Sequence, residues 1–177
     1  MTALGEGTKM QSEDMVARAA ELLGALPYLN LATCCDGRPW SSPVYAVADG
    51  DLCFYWSSWK DAVHSVNLAA NPMAAFTIYD STRARGTNNY RCLYVECSVS
   101  TVTGAPEADK AFKMLYPGQA VELADFLAPG LKRFYKATPG KAWLNCLSER
   151  ELTPQTLKMR VELDLQALKR SVTAAQR

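Results

Sequence analysis

Between residues 55 and 72 the chain gathers the side chains best suited to holding an anion: the paired hydroxyls Ser57 and Ser58, the ammonium of Lys60, and its single histidine, His64. Ser58 and Asp61 have the spacing of a helix N-cap and its reciprocal acidic partner, which predicts a helix starting near Trp59. Unpaired N–H groups and the positive end of the helix dipole favour an anion such as phosphate at that start. On such a helix Lys60 and His64 lie four residues apart and share a face, one carrying a fixed charge and the other a charge conditional on pH. A plainer reading stays open, in which Ser58 only caps, Lys60 is solvated, and His64 is a surface or half-buried residue. No Gly-x-Ser-x-Gly elbow, Gly-x-x-x-x-Gly-Lys loop or metal-ligand cluster accompanies these residues. The sequence therefore assigns no metal site and no catalytic acid, base or nucleophile.

The elements that must position this stretch follow from periodicity. Residues 12–26 place Met15, Val16, Ala19, Ala20, Leu22 and Leu23 at helical spacing, and Pro27 stops them. Residues 28–34 alternate, Asp36-Gly37 offers a hairpin turn, residues 39–47 read as a second strand, Asp49-Gly50 turns again, and residues 52–56 form a third. Asn71-Pro72 ends the predicted Ser58 helix, and residues 73–79 and 90–102 read as fourth and fifth strands around a polar loop carrying Arg83 and Arg85. Residues 106–116 and 120–127 read as helices broken by Pro117-Gly118. After Pro139-Gly140, residues 141–147 form a strand, and Leu157, Met159, Val161 and Leu163 mark another with one wet face. The expectation is a mainly β (α+β) fold, a small antiparallel barrel with flanking helices, in a single domain over 1–177 with its core over about 27–165.

Composition narrows the function classes. With 177 residues, 49% hydrophobic and 21% charged, and a formal net charge of +1, the chain has the balance of a soluble globular protein and no nucleic-acid footprint. No secretory leader and no apolar run of about 20 residues is present, so no membrane association is expected and the compartment is read as cytoplasmic. The six cysteines, Cys34, Cys35, Cys53, Cys92, Cys97 and Cys146, form no Cys-x-x-Cys pair and read as small buried hydrophobes in a reducing compartment.

The order of these pieces resembles the pyridoxamine 5'-phosphate oxidase-like family, the FMN-binding split barrels. The resemblance rests on Leu31-Ala32-Thr33 with Asp36-Gly37-Arg38-Pro39, on Ser42-Pro43-Val44-Tyr45, on Phe54-Tyr55-Trp56-Ser57-Ser58, on His64-Ser65-Val66-Asn67-Leu68-Ala69-Ala70-Asn71-Pro72, on Ile78-Tyr79-Asp80-Ser81, and on Leu93-Tyr94-Val95-Glu96. Each piece is weak alone, and their order and spacing over residues 27–102 carry the match. It implies a six-stranded antiparallel split β-barrel that forms a homodimer, with FMN in a groove between subunits. It also implies that the strand at residues 40–45 cradles the flavin ring and that the turn and helix at residues 56–64 hold the phosphate. Ser57, Ser58, Lys60 and His64 thereby become candidate cofactor contacts, with Tyr55 and Trp56 leading into them and with the backbone of Ser42, Pro43 and Val44 toward the flavin's polar edge. Pro43 has the alternative reading of a simple edge-strand proline. Arg91 falls near a family position that often makes a polar flavin contact, within one residue of slippage. Trp143, whose alternative is a core position, is the candidate to cover the flavin from the partner subunit.

The departures from the family pattern shape the expected function. Where the vitamin-converting oxidases carry an Arg-Lys pair facing the phosphate, this chain has Val63-His64, so the site keeps less fixed charge. No segment after Asn145 looks like their substrate-holding Arg/His segment, and vitamin B6 oxidase activity itself is not expected. Arg83 and Arg85 read either as closing over an anion or as solvated loop charges. The leading expectation is an FMN-dependent oxidoreductase exchanging hydride through flavin N5 with a small organic substrate or a nicotinamide donor, chemistry that the cofactor supplies. The alternatives are a deazaflavin-dependent reductase on the same fold, and a non-catalytic flavin or haem binder, for which His64 is the only histidine ligand available.

Overall fold

The computed structural model describes residues 3–82, 91–145 and 160–175. Arg83, Arg85, Cys146, Leu157 and Met159, all used in the reading above, lie outside them. In chain order the elements are α1 (Ala3–Ala25), β1 (Tyr28–Cys35), β2 (Arg38–Tyr45), β3 (Val47–Ala48), β4 (Phe54–Trp59), α2 (Val63–Ala70), β5 (Met73–Tyr79), β6 (Cys92–Thr101), α3 (Ala105–Leu115), a 3-10 turn (Leu123–Phe126), β7 (Lys132–Asn145), β8 (Arg160–Glu162) and α4 (Leu165–Ala175). The strands form one eight-stranded sheet in the order β2-β1-β5-β6-β7-β4-β3, with β8 also pairing β7. Every pairing is antiparallel. The sheet curls into a half-barrel flanked by helices, the mainly β (α+β) split barrel expected, but with eight strands where six were expected, because the short β3 and β8 add to the edges of β4 and β7.

Local chemistry explains most of these boundaries. The β1–β2 hairpin turns at Asp36 and Gly37, whose φ values of +50° and +73° are those of a two-residue turn matched to strand twist. Pro43, which lacks an N–H, sits in β2 where only β1 pairs with it, an edge position that tolerates the missing donor. The core is the inward row of alternate strand residues: Leu29 and Leu31 on β1, Phe76 and Ile78 on β5, Leu93, Val95 and Cys97 on β6, with Trp56 stacked on Tyr135 at 5.6 Å between ring centres. A second cluster, built on Tyr55, Phe126 and Phe134, lies under α3 and the 3-10 turn.

Four expectations are corrected. The helix expected to begin near Trp59 with Ser58 as cap begins instead at Val63, because residues 54–59 extend β4 and pair with β7. Its N-cap is Ala62, which has no side chain to cap with. Pro139-Gly140 does not end a strand, because β7 runs through it and Gly140 is the extra residue of a bulge opposite Glu96 and Cys97. The expected helix at 120–127 shortens to a 3-10 turn at Leu123–Phe126. The chain also closes with α4, which periodicity reading did not anticipate. Its signal is Asp164, whose carboxylate accepts the backbone N–H groups of Gln166 (2.8 Å) and Ala167 (3.2 Å), followed by Leu168 and Val172 on the buried side.

Candidate functional site

His64 sits in the first turn of α2, and that helix is pinned to β1 by two asparagines. Asn67 Nδ2 donates to Thr33 Oγ1 at 3.1 Å, and Asn71 Nδ2 donates to the Cys34 carbonyl at 3.1 Å. So held, the imidazole is 9% exposed and bridges two strands. Its Nε2 lies 2.8 Å from Ser58 Oγ on β4, and its Nδ1 lies 3.2 Å from Ser42 Oγ on β2. Trp40 Nε1 donates to the same Ser42 oxygen at 3.0 Å, leaving Ser42's own proton available to the imidazole. In the sheet order β2 and β4 stand near opposite ends, so this Ser42–His64–Ser58 chain ties the curled sheet to itself.

Burial lowers the His64 pKa from its ordinary value of 6.5, so the ring is neutral at neutral pH. Among the described residues no charged neighbour counters that shift. Lys60 does not join it, since it stands in the turn before α2 with its ammonium 3.0 Å from Asp61 Oδ1, and both side chains are exposed. The shared helix face expected for Lys60 and His64 therefore does not exist.

A cavity of about 540 Å³ opens beside this network. Pro43, Val44 and Tyr45 of β2, Ser57 and Ser58 of β4, and His64 line it on one side, with Leu115, Tyr116 and Gln119 from the end of α3 on the other. The Ser57 and Tyr116 hydroxyls are 2.5 Å apart. Tyr116 and Gln119 escaped sequence reading, since they lie about 60 residues from the serines in the chain and carry no motif. The start of α2 has no side-chain cap, and the buried Ser65 hydroxyl, which does not line the cavity, has no partner among the described residues. The cavity thus presents neutral hydrogen-bonding groups on an apolar floor, and His64 brings to it the first turn of α2, whose start has no side-chain cap.

The other candidates lie elsewhere. Tyr55 and Trp56 are both fully buried: Tyr55 donates from its hydroxyl to Glu107 at 3.1 Å, and Trp56 stacks in the main core. Burial, reinforced by Asp49 and Glu107, pushes the Tyr55 phenol well up. Neither side chain lines the cavity. Arg91 pairs with Glu21 of α1 at 3.0 Å. Trp143 lines a separate concavity of about 320 Å³ on the sheet, with Asn30, Ser41, Tyr94, Glu96 and Arg160, whose guanidinium lies 4.0 Å from the Tyr94 ring centre. Within one chain, Trp143 and His64 belong to different sites.

Fold and site together define a split-barrel protein with a cofactor-sized, mostly uncharged pocket at the closure of its sheet. The family described as Pyridoxamine 5'-phosphate oxidase matches residues 15–146, and the chain belongs to that family. Sequence comparison with curated proteins gives no match. Among solved structures, the chain is similar to a haem binding protein from Mycobacterium smegmatis (TM-score 0.65, 16% identity, 88% of this chain and 60% of that one). It is similar as well to a putative pyridoxamine 5'-phosphate oxidase from Listeria innocua (TM-score 0.55, 17% identity, 75% and 96%). An F420 reductase shares the fold too (TM-score 0.51, 20% identity, 69% and 93%). Among the described residues no helix is long and apolar enough to cross a membrane.

Proposed function

We propose that this chain is an FMN-dependent oxidoreductase that works as a homodimer, with the cofactor seated against the Ser58–His64 wall. The observation that carries this reading is the hydrogen-bonded His64–Ser58 pair, steadied from behind by Ser42, in the wall of a cavity of about 540 Å³. The residues fit the group. Ser57, Ser58, Tyr116 and Gln119 offer the neutral donors and acceptors that a ribityl chain and a phosphate require, while Val44, Tyr45 and Leu115 offer apolar surface for a ring. When bound, flavin supplies hydride transfer at N5, and the protein positions it, shields it from water and tunes it. Ser42, Pro43 and Val44 are proposed at the ring, and Ser57, Ser58 and His64 at the phosphate. Lys60 and Arg91, turned to Asp61 and Glu21, would have to exchange those carboxylates for the cofactor.

Trp143 lines a separate concavity within one chain, so its proposed place over the cofactor is from a second copy, and the reading therefore includes a homodimer. A deazaflavin reductase is the alternative on the same pocket. Haem is less favoured, because His64, the chain's single histidine, lines the wall proposed for the phosphate. Flavin fluorescence titration combined with analytical sedimentation tests the whole reading. Saturable quenching by FMN near one per subunit, in a dimer that loses flavin on dilution, is the expected result. Tight binding of a deazaflavin or haem without FMN binding would overturn the cofactor, and a monomer with full FMN affinity would overturn the shared site.

A further inference from the structure

Trp40 stands 48% exposed on β2, yet its indole N–H is turned back onto its own strand. It donates at 3.0 Å to Ser42 Oγ, two residues along and on the same face, and an indole nitrogen can only donate. Among the described residues Ser42 Oγ has one other partner, His64 Nδ1 at 3.2 Å. His64 Nε2 in turn meets Ser58 Oγ at 2.8 Å, and beyond Ser58 lies the cavity that it lines. Both ring nitrogens find a hydroxyl, so the orientation of the imidazole is fixed. What remains open is the direction in which the protons run.

Two directions fit these distances, and both make three bonds. If Nδ1 carries the imidazole proton, Ser42 accepts twice, from two N–H dipoles that oppose each other, and Ser58 spends its proton on Nε2. If Nε2 carries it, the chain runs head to tail: indole to Ser42, Ser42 to Nδ1, Nε2 to Ser58. A hydroxyl that accepts a bond becomes a stronger donor, so this half-buried chain favours the second direction. Its spare proton is then the one on Ser58, at the cavity wall. Ser57 and Tyr116 add to the same polarity, because two hydroxyls 2.5 Å apart share one proton and leave the other over. We propose that Trp40 is a positioning residue whose N–H sets this direction, so that Ser58 presents a donor to the cavity and the wall takes a group that only accepts, the cofactor's phosphate. The proposal rests on the reading of this cavity as the cofactor's, and it gives a role to a side chain that does not line it.

His64 is the chain's single histidine, so protein grown with isotopically labelled histidine gives one pair of ring-nitrogen NMR resonances. At about pH 8, where the imidazole is neutral, they should report a protonated Nε2 and a bare Nδ1. Trp40→Phe keeps an aromatic ring at this half-exposed position and removes the N–H. It should move both resonances toward the average of a tautomer mixture and weaken FMN binding about three- to fivefold, leaving riboflavin, which has no phosphate, within about twofold. Ser58→Ala removes the donated proton itself. In that background Trp40→Phe should cost FMN no more than about 1.5-fold, because the two residues act in series. A bare Nε2 in the unaltered protein, resonances unmoved by Trp40→Phe, an FMN affinity unmoved by it, or its full loss repeated in the Ser58→Ala background would each overturn the proposal. A protein that binds no FMN, yet shows the expected tautomer and its loss in Trp40→Phe, would overturn the cofactor reading and leave the direction of the chain standing.

Discussion

Replacing His64 with glutamine tests whether the histidine that closes the sheet also senses the cofactor's phosphate. In the free protein His64 is 9% exposed, it bonds two neutral hydroxyls, and burial alone displaces its pKa downward. Among the described residues the groups near it are Ser42 and Trp40 from β2, Ser58 from β4 and Tyr116 across the cavity, while the ammonium of Lys60 is turned to Asp61. A phosphate dianion against Nε2 would favour the imidazolium and raise the pKa in the complex. FMN affinity is then greatest below the free-protein pKa, falls as pH rises through the window up to the bound-state pKa, and levels above it. The gain is the difference between a charge-assisted and a neutral hydrogen bond, about 1 kcal/mol or fivefold in the dissociation constant. FMN's own phosphate titrates near pH 6, so His64→Gln serves as the baseline, and riboflavin, lacking the phosphate, should be indifferent in both proteins. Dissociation constants from about pH 5.5 to about pH 8.5 decide the matter. Identical FMN profiles in the two proteins would refute the reasoning. The unliganded protein gives an independent check with its own sign. With the native pKa below the unfolded value of 6.5, the unfolded chain binds more protons in that window. Stability contributed by neutral His64 is complete above pH 6.5 and is lost as pH falls toward the native pKa, and His64→Gln should flatten that slope.

Three further outcomes follow from side chains and backbone around the site. Tyr116→Phe removes the hydroxyl 2.5 Å from Ser57, and thermal melting should show a loss of about 1 kcal/mol, or roughly 3 °C for a chain of this size. Asp49 is 7% exposed, accepts the N–H groups of Asp51 (2.9 Å) and Cys53 (2.8 Å), and holds Lys110 at 2.5 Å. Asp49→Ala leaves these donors without their acceptor and should cost about 2–3 kcal/mol in urea unfolding, whereas a loss below about 0.5 kcal/mol would mean that water replaces the carboxylate fully. At Gly130 an added Cβ would meet the Asp125, Leu127 and Ala124 carbonyl oxygens at 2.6, 2.7 and 3.0 Å. Backbone cannot step aside as a flexible side chain can, so Gly130→Ala should destabilise by more than about 2 kcal/mol, and an unchanged urea midpoint would contradict the packing.

Much of this protein is legible residue by residue, because the signals are local. Strand β5 was expected over the residues where it forms, and β1 within one, since alternation of buried and exposed side chains has period two and needs no knowledge of partners. Asp36-Gly37 announces its hairpin because few other pairs adopt positive φ cheaply. The residues Ser42, Ser57, Ser58 and His64 could likewise be singled out by type. What local reading could not supply is the choice between competing local signals. Ser58 with Asp61 has the grammar of a helix cap, yet six backbone pairings with β7, a strand more than 70 residues away, hold residues 54–59 extended. The same long-range pairing carries β7 through Pro139-Gly140 as a bulge instead of a turn. The site itself is a product of curvature. Ser42 and Ser58 stand near opposite ends of an eight-stranded sheet, and only the curl of that sheet, with α2 pinned across β1, brings both hydroxyls to one imidazole and sets Tyr116 opposite them. Sequence determines which groups are available and what each can donate or accept. Tertiary structure alone decided which of them meet, because side chains separated by dozens of residues are joined by sheet geometry, which no local window contains.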